Sequence, residues 1–452
     1  MLREQRSQAG ILSGVHVLRD ELEDWLRIPS VSTGAGDPAA LDHACGWACE
    51  RIEAAGGSAE QVTLDGGHPM AVGELRCARP GAPTVLSYGH YDVQSPGPED
   101  AWESPPFEPT ERDGRLYARG ASDDKGNFLP LLHAACELAR AGELPLNVRF
   151  LIEGEEEVGS RSVLKRLESG EDAADCVIVF DSLMADERTP AITSAGRGLV
   201  QAGIEVRVAE RDLHSGMYGG AVLNAAHVLL DMLGEVAPSA HGLARAELSA
   251  GVTPPPPQER ETWGGLPSGA EAISGVGAYP VSPEAGAEFY ERTGARTAVD
   301  VNMVEVGEPR TIVPACARAH VSVRLAPGQR AADTAAELER LLRAAAPTAA
   351  EVSIAMELAE PALFDASDPA LVLAAGAIGR ACGTPPAFMR LGGTLPLLAV
   401  LAKRGIPTVV SGFALPADAF HAPNESYRLE SLRLGQASAR ELYRSLAELP
   451  VG

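Results

Sequence analysis

His90 and Asp92 stand two residues apart at the end of a short apolar run, in Ser87-Tyr88-Gly89-His90-Tyr91-Asp92-Val93-Gln94. Residues two apart on an extended segment share a face. The carboxylate can therefore steady an imidazole whose other nitrogen binds a metal. Taken alone, a surface hydrogen bond is the plainer reading of such a pair. Downstream come Asp123-Asp124-Lys125-Gly126 in a polar turn before a helix and Glu153-Gly154-Glu155-Glu156-Glu157 at a strand end. Asp181 ends another strand, and His421 lies in a loop after a strand at 407–410. Singly, each acidic cluster reads as a solvated face. Gathered in one place they would carry a large uncompensated negative charge, for which divalent metal is the simplest remedy. Imidazole and carboxylate donors without thiolates suit zinc, cobalt or manganese.

The elements that must position these groups follow from periodicity. Apolar residues at helical spacing from Ile11 through Val15, Leu18, Leu22 and Trp25 to Leu26 predict a helix over 10–28 that stops before Pro29. Further helices are expected at 42–55 and 127–141, with strands at 71–75, 84–88, 148–153 and 176–180. Residues 97–115, rich in proline and acidic side chains, read as a loop. Strands alternating with helices imply an α/β architecture with a mostly parallel sheet. In such sheets ligands gather beyond the carboxyl ends of the strands, where the acidic clusters fall.

After about Arg197 the texture changes. Alternating strands at 199–208, 299–305, 317–325 and 351–355, with helices at 221–233 and 331–345, give a β-α-β-β-α-β order. That order suggests an inserted α+β, ferredoxin-like domain. The Pro254–Pro257 run reads as an irregular excursion within it. Helices at 371–381 and 395–404 and the strand 407–410 return to the first texture. The expected division is thus 1–197 with 370–452, interrupted by 198–369.

A chain of 452 residues is too long for one ordinary core. Its 45% apolar content is normal for a folded protein. With 38 basic and 62 acidic residues the formal charge is −24, which opposes encounter with nucleic acid or an anionic membrane. Seven scattered cysteines contain no paired Cys-x-x-Cys site, and reduced thiols in a cytoplasmic protein are expected. Neither a signal peptide nor a membrane span is visible.

The motifs also carry a resemblance. Gly89 to Gln94, Trp102 with Pro105-Pro106-Phe107, and Asp113 to Tyr117 match in order. So do Arg119 to Gly126, Glu153 to Ser160, Asp212 to Gly216, Gly392-Gly393-Thr394-Leu395-Pro396 and His421-x-x-Asn424-Glu425. The chain resembles the di-zinc family of aminoacylases, carboxypeptidase G and dipeptidases, most of all its carnosinase-like branch of non-specific dipeptidases. The resemblance implies two metals, one on His90 and Asp181 and one on Glu157 and His421, with Asp123 bridging and a cis peptide after it. Glu156 would be the general base, moving the water's proton to the leaving amine, while Asp92 orients His90. His214 would stabilise the oxyanion in a partner subunit's site, implying a homodimer. Arg324 would bind the substrate carboxylate, and Asn302, Gly393 and Thr394 would line the pocket. The other histidines match nothing and read as structural.

One departure stands out. Leu391 precedes Gly392 where the dipeptidase branch usually has glutamate, so specificity need not be that of ordinary dipeptides. The expected activity is metal-dependent hydrolysis of an amide in a small substrate with a free carboxylate, a dipeptide first and an N-acyl amino acid as the alternative. A non-catalytic metal-binding or assembly protein is the rival of another class. Against it, Glu156 has no structural reason to stand beside the ligands. No Gly-x-Ser-x-Gly elbow supports a serine hydrolase.

Overall fold

The computed structural model describes residues 16–34, 36–393 and 395–450. Ile11, Val15 and Thr394 lie outside them. The chain divides into two units, Met1–Ser194 with Phe364–Phe388 and Val400–Gly452, and Ala195–Leu363 with Met389–Ala399.

In the first unit the strand order is Ser58–Val62, Met70–Leu75, Asn147–Glu153, Thr84–His90, Cys176–Phe180, Thr408–Gly412, Ala191–Gly196. The four strands from Asn147–Glu153 to Thr408–Gly412 run parallel. Antiparallel pairings close the sheet on both sides. Every residue of Cys176–Phe180 and Thr408–Gly412 is buried, as expected of parallel strands covered on both faces. The helices Pro38–Ala54, Lys125–Arg140, Pro369–Cys382 and Leu429–Leu446 contribute to one core with these strands. Residues 16–26 are helical, and their Leu18, Leu22, Trp25 and Leu26 are wholly buried. Trp25 stacks on Trp47 with ring centroids 4.9 Å apart.

Two glycines allow the close approaches that frame the strand ends. A Cβ on Gly126 would lie 1.9 Å from the carbonyl oxygen of Ala121, inside the turn that leads to Asp123. A Cβ on Gly89 would lie 2.2 Å from the Phe128 ring, so the helix after that turn rests directly on the strand carrying His90. The stretch 97–115 is not all loop. It ends in the hairpin Thr110–Arg112 and Arg115–Tyr117, and Ser426–Arg428 adds a third strand.

The second unit is built on a four-stranded antiparallel sheet in the order Ala298–Val306, Cys316–Leu325, Gly198–Arg207, Glu351–Ala359. With the helices Ala225–Gly234 and Ala331–Ala345 this is the ferredoxin-like arrangement. Gly198–Arg207 alternates buried and half-buried residues, and Val200, Ala202, Ile204 and Val206 join the helices' apolar faces in a separate core. Helix Ala225–Gly234 starts later than the expected 221 because Asn224 caps it, its side chain accepting from the Ala226 N–H.

The excursion around Pro254–Pro257 contains short helices, Pro257–Trp263, Gly269–Gly275 and Phe289–Gly294. It also supplies Glu259, which holds Arg390 in a two-pronged, buried ion pair at 2.7 and 3.1 Å. That pair, with the Arg197 N–H to the Leu391 carbonyl at 3.1 Å, explains why residues 389–399 group with the inserted unit. From the sequence they were expected with the first.

Gly89→Ala forces a methyl group into the Phe128 ring in a closed core. Overpacking of this kind costs about 1–3 kcal/mol, and urea unfolding of the metal-free variant should show a loss of that size.

Candidate active site

The parallel strands deliver their carboxyl ends to one edge of the first unit. His90 closes one strand and pairs in register with Glu153, the last residue of its neighbour. Asp181 follows directly on Cys176–Phe180. Glu156 and Glu157 occupy the short 3-10 turn after Glu153, and Asp123 ends the turn before helix Lys125–Arg140. The peptide between Asp123 and Asp124 is cis.

These side chains converge. His90 Nε2 lies 3.1 Å from Asp123 Oδ1, and His421 Nε2 lies 2.9 Å from Asp123 Oδ2 and 3.2 Å from Glu157 Oε2. Two trios can each offer donor atoms within 4.8 Å of one another: His90, Asp123 and Asp181, and Asp123, Glu157 and His421. Asp123 belongs to both. His90 is wholly buried, while the His421 side chain is 51% exposed.

The orientation of His90 is set by Asp92, though not mainly through the carboxylate. His90 Nδ1 lies 3.0 Å from the backbone oxygen of Asp92 and 3.4 Å from its Oδ1. A carbonyl only accepts, so in the neutral ring Nδ1 carries the hydrogen and Nε2 keeps its lone pair toward Asp123. The Asp92 carboxylate accepts instead from Ser32 Oγ at 2.6 Å and from the N–H groups of Glu156 and Glu157 at 3.3 and 3.2 Å. It thereby positions the backbone of both glutamates.

Burial pushes Glu156 up to about 8 and Asp181 up to about 7, with nearby carboxylates adding to each. Hydrogen bonds to Asp123 and then Glu157 raise His421 to about 10. For His90 burial opposes the charge, yet bonds to Asp123 and Asp92 prevail and raise it well above the usual imidazole range. Burial likewise opposes the charge on Asp123, but bonds from His421 and His90 hold its carboxyl below the usual range.

The residues fit divalent metal. Four carboxylates share the site with two imidazoles, and Glu157 Oε1 is buried without a hydrogen-bond partner, an orphaned acceptor of the kind a cation satisfies. The model of peptidase family M20/M25/M40 matches residues 86–445. The chain belongs to this family.

A cysteinylglycine-S-conjugate dipeptidase of Corynebacterium striatum is 30% identical over 357 residues, 76% of this chain and 77% of that protein. A beta-Ala-His dipeptidase of Homo sapiens is 28% identical over 345 residues, 73% and 68% of the two chains. Among solved structures, human carnosine dipeptidase 1 matches with a TM-score of 0.76 at 25% identity, covering 99% of both chains. A metallo-carboxypeptidase of the M20 family from Sulfolobus solfataricus matches with a TM-score of 0.82 at 25% identity, over 96% of this chain and 99% of that one.

In this M20-family metallopeptidase the other expected residues lie in the inserted unit. His214 is exposed at the end of a two-residue strand, Leu213–His214, and its Nδ1 accepts from the Gly216 N–H at 3.1 Å. Arg324 is half-buried on Cys316–Leu325, opposite Leu199 and Ala298. Asn302 is exposed, at a register shift between Val301 and Met303. Gly393 is exposed.

Several partners had no assigned role from sequence. Gln94 Nε2 donates to Glu157 Oε2 at 2.9 Å; it lay in the opening motif, and its reach was the only signal. Arg197 Nε donates to the Gly392 carbonyl at 3.0 Å. Burial together with the charge of Arg324 lowers Arg197 to about 10. Nothing local in the sequence marks that arginine.

Because Asp92 touches His90 and both glutamate amides, Asp92→Ala should weaken metal binding on the order of 10–100-fold. Competition with a chelator measures this directly.

Proposed function

We propose that this metallopeptidase hydrolyses dipeptides with a free carboxylate, at a centre of two divalent ions shared through Asp123. The observation that carries the reading is the pair of donor trios joined by that one carboxylate. His90 and Asp181 would hold one ion, and Glu157 and His421 the other. Zinc is preferred, with cobalt or manganese as substitutes. When bound, such ions supply Lewis acidity, polarising the scissile carbonyl and easing deprotonation of water near neutral pH.

The chain's own groups do the rest. Glu156, held by Asp92 through its amide, accepts the proton of the attacking water on a carboxylate oxygen and delivers it to the departing nitrogen. His214 donates to the developing oxyanion, Arg324 grips the substrate carboxylate with its guanidinium fork, and Asn302 and Gly393 line the pocket. The names of the similar proteins, three of the four being dipeptidases, support the substrate class. The assembly we propose is a cytoplasmic homodimer in which the inserted domain serves as lid and contact surface. Among the described residues no helix is long and apolar enough to cross a membrane, and all seven cysteines are free.

Mass spectrometry of dipeptides and N-acyl amino acids incubated with the enzyme, before and after chelation, tests the activity. Chelation should abolish hydrolysis, and zinc, cobalt or manganese should restore it. Full turnover by demonstrably metal-free protein would end this reading, and turnover of N-acyl amino acids alone would move it to a deacylase. Glu156→Gln should keep its metal yet lose about 10²–10⁴-fold in single-turnover rate, and a near-normal rate would assign the base elsewhere.

The dimer claim has its own test. Under it each site combines Glu156 of one subunit with His214 of the other. Co-expressed His214→Ala and Glu156→Gln chains should then recover about a quarter of wild-type activity per site, given random pairing. If His214 served its own subunit, no activity would return.

A further inference from the structure

We infer that Glu425 is a positioning residue that presets the metal centre, by locking the loop that carries His421 onto the loop that carries Asp123. This rests on the metal-centre reading above and adds to it a residue that touches neither metal nor substrate.

Glu425 is wholly buried. Its Oε1 accepts from Ser122 N at 2.8 Å, Ser122 Oγ at 2.9 Å and Asp123 N at 3.1 Å. Its Oε2 accepts from Arg119 Nη1 at 2.6 Å and Gly120 N at 2.9 Å. The Glu425 backbone oxygen adds a bond from Ala118 N at 3.1 Å. A carboxylate without water is costly unless charge and hydrogen bonds compensate it. Here the compensation comes from Arg119, itself buried, and from three successive-turn amides that converge only when residues 118–123 follow this path. The charge therefore selects the path, and with it the place of Asp123.

The same residue closes an unusual loop. Ala419, His421 and Asn424 have φ of 57°, 62° and 63°, a region that non-glycine residues seldom occupy. Such a backbone persists only where its surroundings over-determine it. Asn424 supplies one anchor, accepting from Glu103 N at 2.8 Å and donating to Ala101 O at 3.0 Å. Glu425 supplies the other. Since His421 and Asp123 meet at 2.9 Å, a slip of either loop separates the two donors.

Glutamine is the discriminating substitution. It keeps the shape of Glu425, but every contact of the carboxylate is with a donor, so its amide nitrogen must face either Arg119 and Gly120 or Ser122 and Asp123. Wild type, Glu425→Gln, Ser122→Ala and His421→Ala would be stripped of metal and titrated with Zn²⁺ against a chelator. Circular dichroism and thermal melts would give the folded fraction. Glu425→Gln should remain folded at the titration temperature and bind the weaker-held ion about 10–100-fold less tightly. Ser122→Ala, which removes one of five side-chain contacts, should fold normally and lose severalfold. A folded Glu425→Gln with wild-type affinity overturns the inference. Should that variant not fold, unchanged affinity in Ser122→Ala overturns it instead. Wild type that takes up no Zn²⁺, or is indifferent to His421→Ala, would sink the metal centre itself, an outcome separate from a failure of Glu425 alone.

Discussion

Each oxygen of the Asp123 carboxylate faces an imidazole, His90 on one side and His421 on the other. The remaining acidic groups crowd around this arrangement, and their mutual repulsion is the constraint that the surrounding structure must answer. Hydrogen bonds to carboxylates raise the two histidines, and burial raises Glu156 and Asp181. Held by these side chains, a divalent ion would supply a fixed positive charge in place of protons, leaving imidazole lone pairs and carboxylate charge free for coordination. One group of side chains therefore specifies the cofactor class and sets its own ionisation.

The sheet explains how so much like charge can be brought together. The strands that end at His90, Glu153 and Phe180 are neighbours in parallel register, so their carboxyl ends arrive side by side without any side chain having to attract another. Their apolar interiors, with Phe150, Ile152, Ile178 and Phe180 in the main core, hold the frame by burial rather than by charge. The favourable term is spread over the core and the unfavourable term is confined to its rim, as expected where function opposes stability.

This division also accounts for what could be read from the chain alone. The strand-end places of His90, of the Glu153–Glu157 run and of Asp181 were legible because each follows a short apolar run, and a strand end in an α/β sheet is a place as well as a type. The ferredoxin-like order of the insertion was legible from its alternation. Asn302 was named from resemblance, but the register shift at it depends on pairing with Cys316–Leu325, and no local signal marks one. The grouping of residues 389–399 is not written locally, because it follows from Arg197 and from the Arg390–Glu259 pair, contacts 131 or more residues apart. The hairpin at 110–117 carries no strong local signal, since its third strand, Ser426–Arg428, comes from the far end of the chain. Local chemistry was readable, and long-range polar pairing was not.

That long-range pairing follows a common pattern. Asp92 accepts from the amides of Glu156 and Glu157, and Glu425 from those of Gly120, Ser122 and Asp123. Asn127 accepts from the Phe413 amide at 2.8 Å and donates to the Ser182 carbonyl at 3.1 Å, which ties the segment after Asp181 to the one that leads toward His421. In each case a buried polar side chain holds the backbone beside a candidate ligand and leaves the ligand's own oxygens alone. A clamp on those oxygens competes with metal for the same lone pairs, as the one Gln94 bond to Glu157 Oε2 would, whereas a clamp on the neighbouring amides fixes their direction and costs no coordination. Preorganisation through the backbone is thus the arrangement compatible with a site whose side chains repel one another until a cation arrives.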